Sequence, residues 1–185
     1  MVNNITKLSV LEPLLFTQEW THLAEISREL KMPHPTARIY LNDFEKEGVV
    51  IKKIKGRLTL YKLNYFNLII TDYIVLVEKN KLIRKCSEEI LLKEIVSFIH
   101  EMGNTSIIFG SASVDLKSAN DIDLIIIGEF EKNIFKEFEK KYSIKFHLIN
   151  LNKLEEMNSS LKEEIKKKHL IVNDSERTIR WMLKS

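Results

Sequence analysis

The sequence predicts an α+β chain of two domains, and three features of its patterning lead there. Residues 1–66 carry two helical segments separated by a proline break, then two short strands around a basic loop. Residues 67–84 read as a connecting helix. Residues 85–185 alternate helical and extended periodicity, with a Gly-Ser turn followed ten residues later by an acidic pair on an apolar strand.

Length and composition agree with that division. The 185 residues are 44% hydrophobic, enough for one ordinary domain or two small ones with separate cores, and two small ones fit the change in pattern better. A formal charge of +3 with 30% charged residues permits contact with nucleic acid without demanding it. Cys86 is the only cysteine, which excludes an internal disulfide and any multi-cysteine metal site. The start carries neither a secretory nor an arginine-rich transit pattern, and the apolar run Leu68 to Val77 is too short and too polar at its centre to cross a bilayer. A soluble, cytoplasmic protein without membrane contact is expected.

The elements follow in order. Leu8 to Leu15 suggests a first helix that Pro13 disturbs. Thr21 to Leu30 repeats Leu23, Ala24, Ile26 and Leu30 at helical spacing. Met32-Pro33-His34-Pro35 breaks that helix, and a new one is expected from Thr36, burying Ala37, Leu41 and Phe44 before Gly48 ends it. Val49 to Ile51 and Leu58 to Leu63 then read as strands joined through Lys52-Lys53-Ile54-Lys55-Gly56-Arg57. Over about residues 7–66 this order, with the Leu-x-x-Phe-Glu-Lys-Glu-Gly-Val-Val ending of the third helix, resembles the winged helix-turn-helix domain of prokaryotic transcription regulators.

That resemblance implies a third helix in the major groove of double-stranded DNA, with a wing on the backbone. His34, Thr36, Arg38, Tyr40 and Asn42 lie on its polar side, and Arg38 is the best base or phosphate contact because its fork donates twice. Thr36, near the helix start, suits a phosphate. Lys53, Lys55 and Arg57 of the wing suit backbone phosphates, and each of these residues has an ordinary solvated reading beside the DNA-binding one. Asn64 to Asn80 is read as a connecting helix, and pairing of two copies through it would suit DNA half-sites.

In the second domain Glu88 to Ile99 is a strongly amphipathic helix with Ile95 and Phe98 inward, leading to the strand Thr105 to Phe109. Strand alternation projects Asp121 and Asp123 together while Ile122 and Leu124 enter the buried side. Two such carboxylates suit Mg²⁺, which reaches proteins through one or two carboxylates plus substrate phosphates. Gly110 offers a turn without Cβ bulk, and Ser111 a hydroxyl and backbone N–H groups for phosphate.

Together, Ile107-Ile108-Phe109-Gly110-Ser111 and Asp121 to Gly128 resemble the nucleotidyltransferase superfamily in its minimal branch related to polymerase beta, over about residues 85–185. The resemblance implies a nucleotidyltransferase-like α/β domain with a mixed sheet, Mg²⁺ on Asp121 and Asp123, which would also be catalytic, and a nucleoside triphosphate partner. The sequence departs from the family at three places. No acid stands on the strand Tyr142 to Ile149, where Lys145 and His147 are the candidates for phosphate; Ala112-Ser113 replaces the usual basic residue and glycine; Asn120 precedes the first aspartate.

Glu131 to Lys140 reads as a helix with Phe135 and Phe138 inward, followed by helices from Asn150 and from Leu161 and a short strand at Leu170 to Val172. Lys166, Lys167 and Lys168 read as a solvated helical face. Two functions follow as expectations. One is a DNA-binding transcription regulator, possibly dimeric, with a Mg-nucleotide-binding domain. The other is an active nucleotidyltransferase whose acceptor the winged domain recruits.

Overall fold

A computed structural model describes residues 6–184, which divide into two compact units with the boundary between Arg84 and Lys85. In the first, a 3-10 segment at Lys7–Leu14 takes the place of the expected first helix. Pro13, inside this segment, has no N–H to donate to a helical carbonyl. The chain then forms β1 (Thr21–His22), α1 (Leu23–Glu29), α2 (His34–Lys46), β2 (Val50–Lys55) and β3 (Leu58–Leu63), with strand order β1-β3-β2, all antiparallel. Helix, short turn, helix and two-stranded wing make this unit a winged helix.

The His22 imidazole caps α1 by accepting from the Ala24 N–H at 3.1 Å. The Ser27 hydroxyl donates to the Met32 carbonyl at 2.5 Å and closes the turn into α2. That helix begins at His34, two residues before the expected start, because Pro35 sits in the first turn, where its missing N–H is no loss. Ala37, Leu41 and Phe44 are buried, as are Leu11, Leu14, Leu23 and Ile26 of the 3-10 segment and α1 on which α2 packs, and truncating Leu41 to Ala in such a core costs about 2–5 kcal/mol. Gly48 (φ 71°) ends the helix region, and the side-chain amides of Asn64 and Asn67 both donate to its carbonyl, at 2.9 and 3.0 Å.

The next helix, α3 (Ile70–Glu88), buries Ile70, Ile74, Val77 and Glu78. It is fastened to the first 3-10 segment by Arg84–Glu12 at 2.6 Å and by the Asn80 amide donating to the Ser9 hydroxyl at 3.3 Å. Lys81 lies 2.7 Å from the buried Glu78 carboxylate.

The second unit continues with α4 (Ile90–Glu101), β4 (Thr105–Phe109), β5 (Ile122–Ile127), α5 (Asn133–Tyr142), β6 (Phe146–Leu151), α6 (Ser159–Lys167), β7 (His169–Asn173) and α7 (Ser175–Leu183). Its sheet has the order β6-β5-β4-β7; β5 and β6 are parallel, and β4 is antiparallel to β5 and β7. The central strands β4 and β5 are apolar and buried almost throughout, as strands covered on both faces must be. Phe98, Phe130, Phe135, Phe138 and Phe146 form one aromatic cluster, with Phe135 and Phe146 edge to face at 5.0 Å between centroids. A helix expected from Asn150 is only a 3-10 turn at Leu154–Glu156, and α7 was not expected. Among the described residues, no helix is long and apolar enough to cross a membrane.

The nucleotidyltransferase-like fold class requires correction at this level. The Gly110-Ser111 turn opens a three-residue 3-10 turn, Ser111–Ser113, and then a second at Leu116–Ser118, so no α-helix N-terminus stands there to bind phosphate. Asp121 lies outside β5 and is exposed. The parallel register places Asp123 against His147 and Ile122 against Phe146, so Asp123 has a basic residue of the neighbouring strand beside it. The architecture is a two-unit α+β chain: a winged helix, then a four-stranded mixed sheet with helices.

Candidate functional site

Helix α2 turns about 100° per residue, which sorts its surface into four strips. Ala37, Leu41 and Phe44 face the core. His34, Arg38, Asn42 and Glu45 fall on the side nearest the wing; Thr36 and Tyr40 fall on the other flank and are half-buried. The outermost strip is held by Pro35 and by Ile39, which is 59% exposed. Sequence reasoning missed Ile39; the signal was an apolar residue out of step with Ala37, Leu41 and Phe44.

The wing is locked to this helix. Lys52 Nζ reaches Glu45 Oε2 at 2.8 Å and Asn42 Oδ1 at 3.3 Å, and the Tyr61 hydroxyl donates to Asn42 Oδ1 at 3.4 Å. The Glu45 hydrogen bond holds the Lys52 ammonium above the usual lysine pKa, against burial and against the nearby Arg38. Asn42, placed on the polar side by its spacing, is therefore committed to the wing. Asp43 of α2 and the C-capping Glu47 are also engaged: Lys7 lies 3.5 Å from Asp43 and 3.0 Å from Glu47, and Tyr73 donates to Glu47 at 2.9 Å.

With the acids neutralised locally, the open charges are cationic. Arg38 is exposed, and among the described residues neither it nor Lys55 nor Arg57 has an ion-pair partner. Lys53 lies over the Trp20 ring at 5.7 Å. Lys53, Lys55 and Arg57 occupy the end of the β2–β3 hairpin, where Lys55 pairs with Leu58 across the two-residue turn Gly56-Arg57. Gly56 takes φ 61° there, as the turn requires.

In the second unit, His147 Nδ1 and Asp123 Oδ1 are 2.8 Å apart. The other Asp123 oxygen lies over Gly110: a Cβ at position 110 would meet it at 2.7 Å, and Gly110 has φ 67°. Asp121, Ser111, Lys145 and His147 are exposed, and Gly110 is half-exposed. A hard cation takes carboxylate oxygens, so the two aspartates suit one chemically, although His147 already shares Asp123. Among the described residues, no group of three or more His, Cys, Asp or Glu side chains converges as a metal site.

No family model matches the chain, and no curated protein does. Solved structures give partial likenesses. The MepR–DNA complex of S. aureus is 16% identical with TM-score 0.34, covering 52% of this chain and 82% of that one. The PcaV transcriptional regulator from Streptomyces coelicolor, in complex with its natural ligand, is 14% identical with TM-score 0.35, covering 53% and 76%. TrmBL2, an archaeal chromatin protein with a novel mode of DNA binding, is 15% identical with TM-score 0.27, covering 90% and 66%. Scores this low carry no argument about function.

The resemblance to the nucleotidyltransferase superfamily is corrected here as well. No family model and no curated protein matches to support a fused transferase domain, and none of the solved structures named above is a nucleotidyltransferase.

Proposed function

We propose that the chain is a DNA-binding transcription regulator that reads duplex DNA with α2 and grips the backbone with its wing. The observation that carries this reading is Arg38: exposed, unpaired, and set beside a wing whose three cations face solvent while every acid on its side of α2 is neutralised within the protein. A guanidinium so placed suits the bidentate contact to guanine O6 and N7. Ile39, outermost on the helix, suits the methyl group of thymine, and His34 and Thr36 near the helix start suit phosphate. Tyr40 flanks the same surface. Lys53, Lys55 and Arg57 supply the salt-sensitive, sequence-independent part.

Selection of bound duplexes from a randomised pool tests the reading. An enriched motif that contains a guanine lost from the selection with Arg38→Ala supports it; a wild-type pool with no enrichment over several rounds overturns it.

A second reading concerns the acidic pair, because position 110 admits no side chain above the Asp123 carboxylate. It holds that Asp121 and Asp123 take Mg²⁺ together with a phosphate-bearing nucleotide bordered by Gly110, Ser111, Lys145 and His147. It involves binding alone. Calorimetric titration of nucleoside triphosphates with Mg²⁺ should then give heat that the Asp121→Asn/Asp123→Asn variant loses; equal heats in both proteins would exclude it.

A further inference from the structure

Helix α3 buries one face and leaves the opposite one apolar. Ile70, Ile74 and Val77 enter the core of the first unit, while Ile69, immediately before the helix, and Leu76 and Ile83 within it, seven residues apart, are 53%, 51% and 70% exposed. Just ahead of the helix, Phe66 and Leu68 are 96% and 99% exposed. These are not side chains on a loose loop. The Asn64 side chain accepts from the Phe66 N–H at 3.2 Å and the Asn67 side chain from the Ile69 N–H at 2.9 Å, while the amides of both asparagines hold the Gly48 carbonyl. The backbone presents an apolar stripe in a fixed position.

We propose that this stripe is covered by the same stripe of a second copy of the chain, with the two α3 helices antiparallel. A heptad repeat of apolar residues is the spacing that keeps one helix seam against another. The orientation comes from charge. The exposed residues between the apolar ones are Asp72 and Lys79, placed on either side of Leu76. A two-fold axis beside Leu76 brings Asp72 of one copy towards Lys79 of the other, and Ile69 towards Ile83. Parallel pairing would set Asp72 against Asp72 and Lys79 against Lys79, which is repulsive on both layers. Phe66 and Leu68 then lengthen the seam at each end, beside the far copy's Ile83. An isologous interface of this kind closes at two copies.

The pairing deepens the DNA-binding reading, since two recognition helices suit two half-sites, but it is tested without DNA. Sedimentation equilibrium of the full chain should give twice the 21.8 kDa mass, and Leu76→Asp should raise the dimer dissociation constant at least about thirty-fold. Position 76 is exposed, so the variant keeps its fold; unchanged circular dichroism checks this. Orientation is read separately in a Cys86→Ser background. Mild oxidation of an equimolar mixture of Ile69→Cys and Ile83→Cys chains should cross-link one to the other, while neither alone cross-links, because 14 positions of helix put like sites roughly 21 Å apart. A monomer at all concentrations, a dimer indifferent to Leu76→Asp, or self-cross-linking of each single variant overturns the proposal. A dimer that binds no duplex overturns only the DNA reading.

Discussion

At the level of single residues the argument turns on what each side chain has already been given to do. Lys52 and Asn42 are used up inside the protein, whereas Arg38 is not. Arg38→Ala should therefore weaken binding to a selected duplex by roughly 1–3 kcal/mol, whereas Asn42→Ala should act mainly on stability. Fluorescence anisotropy and urea unfolding of both variants separate the two. Gly110 is the other constrained residue. Its φ of 67° and ψ of −148° lie where only glycine is at ease, and a Cβ would press on Asp123. Gly110→Ala should cost about 1–3 kcal/mol in urea unfolding, and adding Asp123→Ala should recover only the steric part.

Tyr65 sets a pH dependence. Burial pushes its hydroxyl up from 10.0 to about 12. A folded-state pKa above the unfolded one means that the native state holds the proton longer. This stabilisation is complete below pH 10 and is lost as pH rises from there to about 12, at most about 2–3 kcal/mol. Tyr65→Phe should flatten stability over that interval relative to wild type. A slope as steep in the variant would contradict the assignment.

At the level of elements, the wing and α3 divide the work differently. The wing's three cations are exposed at a hairpin end, so replacing Lys53, Lys55 and Arg57 by Ala should reduce the slope of log affinity against log salt by roughly 2–3 without changing the selected motif. An altered motif with an unchanged slope would contradict that assignment. Legibility also differs by element. The helices α1, α2 and α4 and strands β4 and β5 could be read because each buries a local periodic stripe. The two-residue β1 could not, since it exists only through pairing with β3 some forty residues away. Helix α7 was missed although Ser175, Thr178, Ile179 and Met182 recur at helical spacing, because its two arginines and Glu176 dilute the apolar signal. Helix α3 was legible as a helix, but its two apolar faces blurred which one is buried.

At the level of the whole molecule, the sequence conveyed two units and a winged helix, and it misled about the second. Gly-Ser and Asp-x-Asp lie at the spacing of the nucleotidyltransferase pattern, but spacing shows neither His147 beside Asp123 nor the short 3-10 turns that follow Gly110. Those are products of strand register, which local pattern does not carry. Under the proposed function, a DNA-reading surface is joined to a helix suited to pairing two copies. Leu76→Asp should accordingly lower affinity for a duplex with two half-sites by at least about tenfold while sparing a single half-site. Equal losses on both duplexes would break that link.

The most direct test of the central claim is the affinity of wild type and Arg38→Ala for the selected duplex, measured by anisotropy across a salt series. The account predicts steep salt dependence for the wild type and a loss of roughly 10- to 100-fold in the variant at every salt concentration. Equal affinities for the two proteins would contradict it.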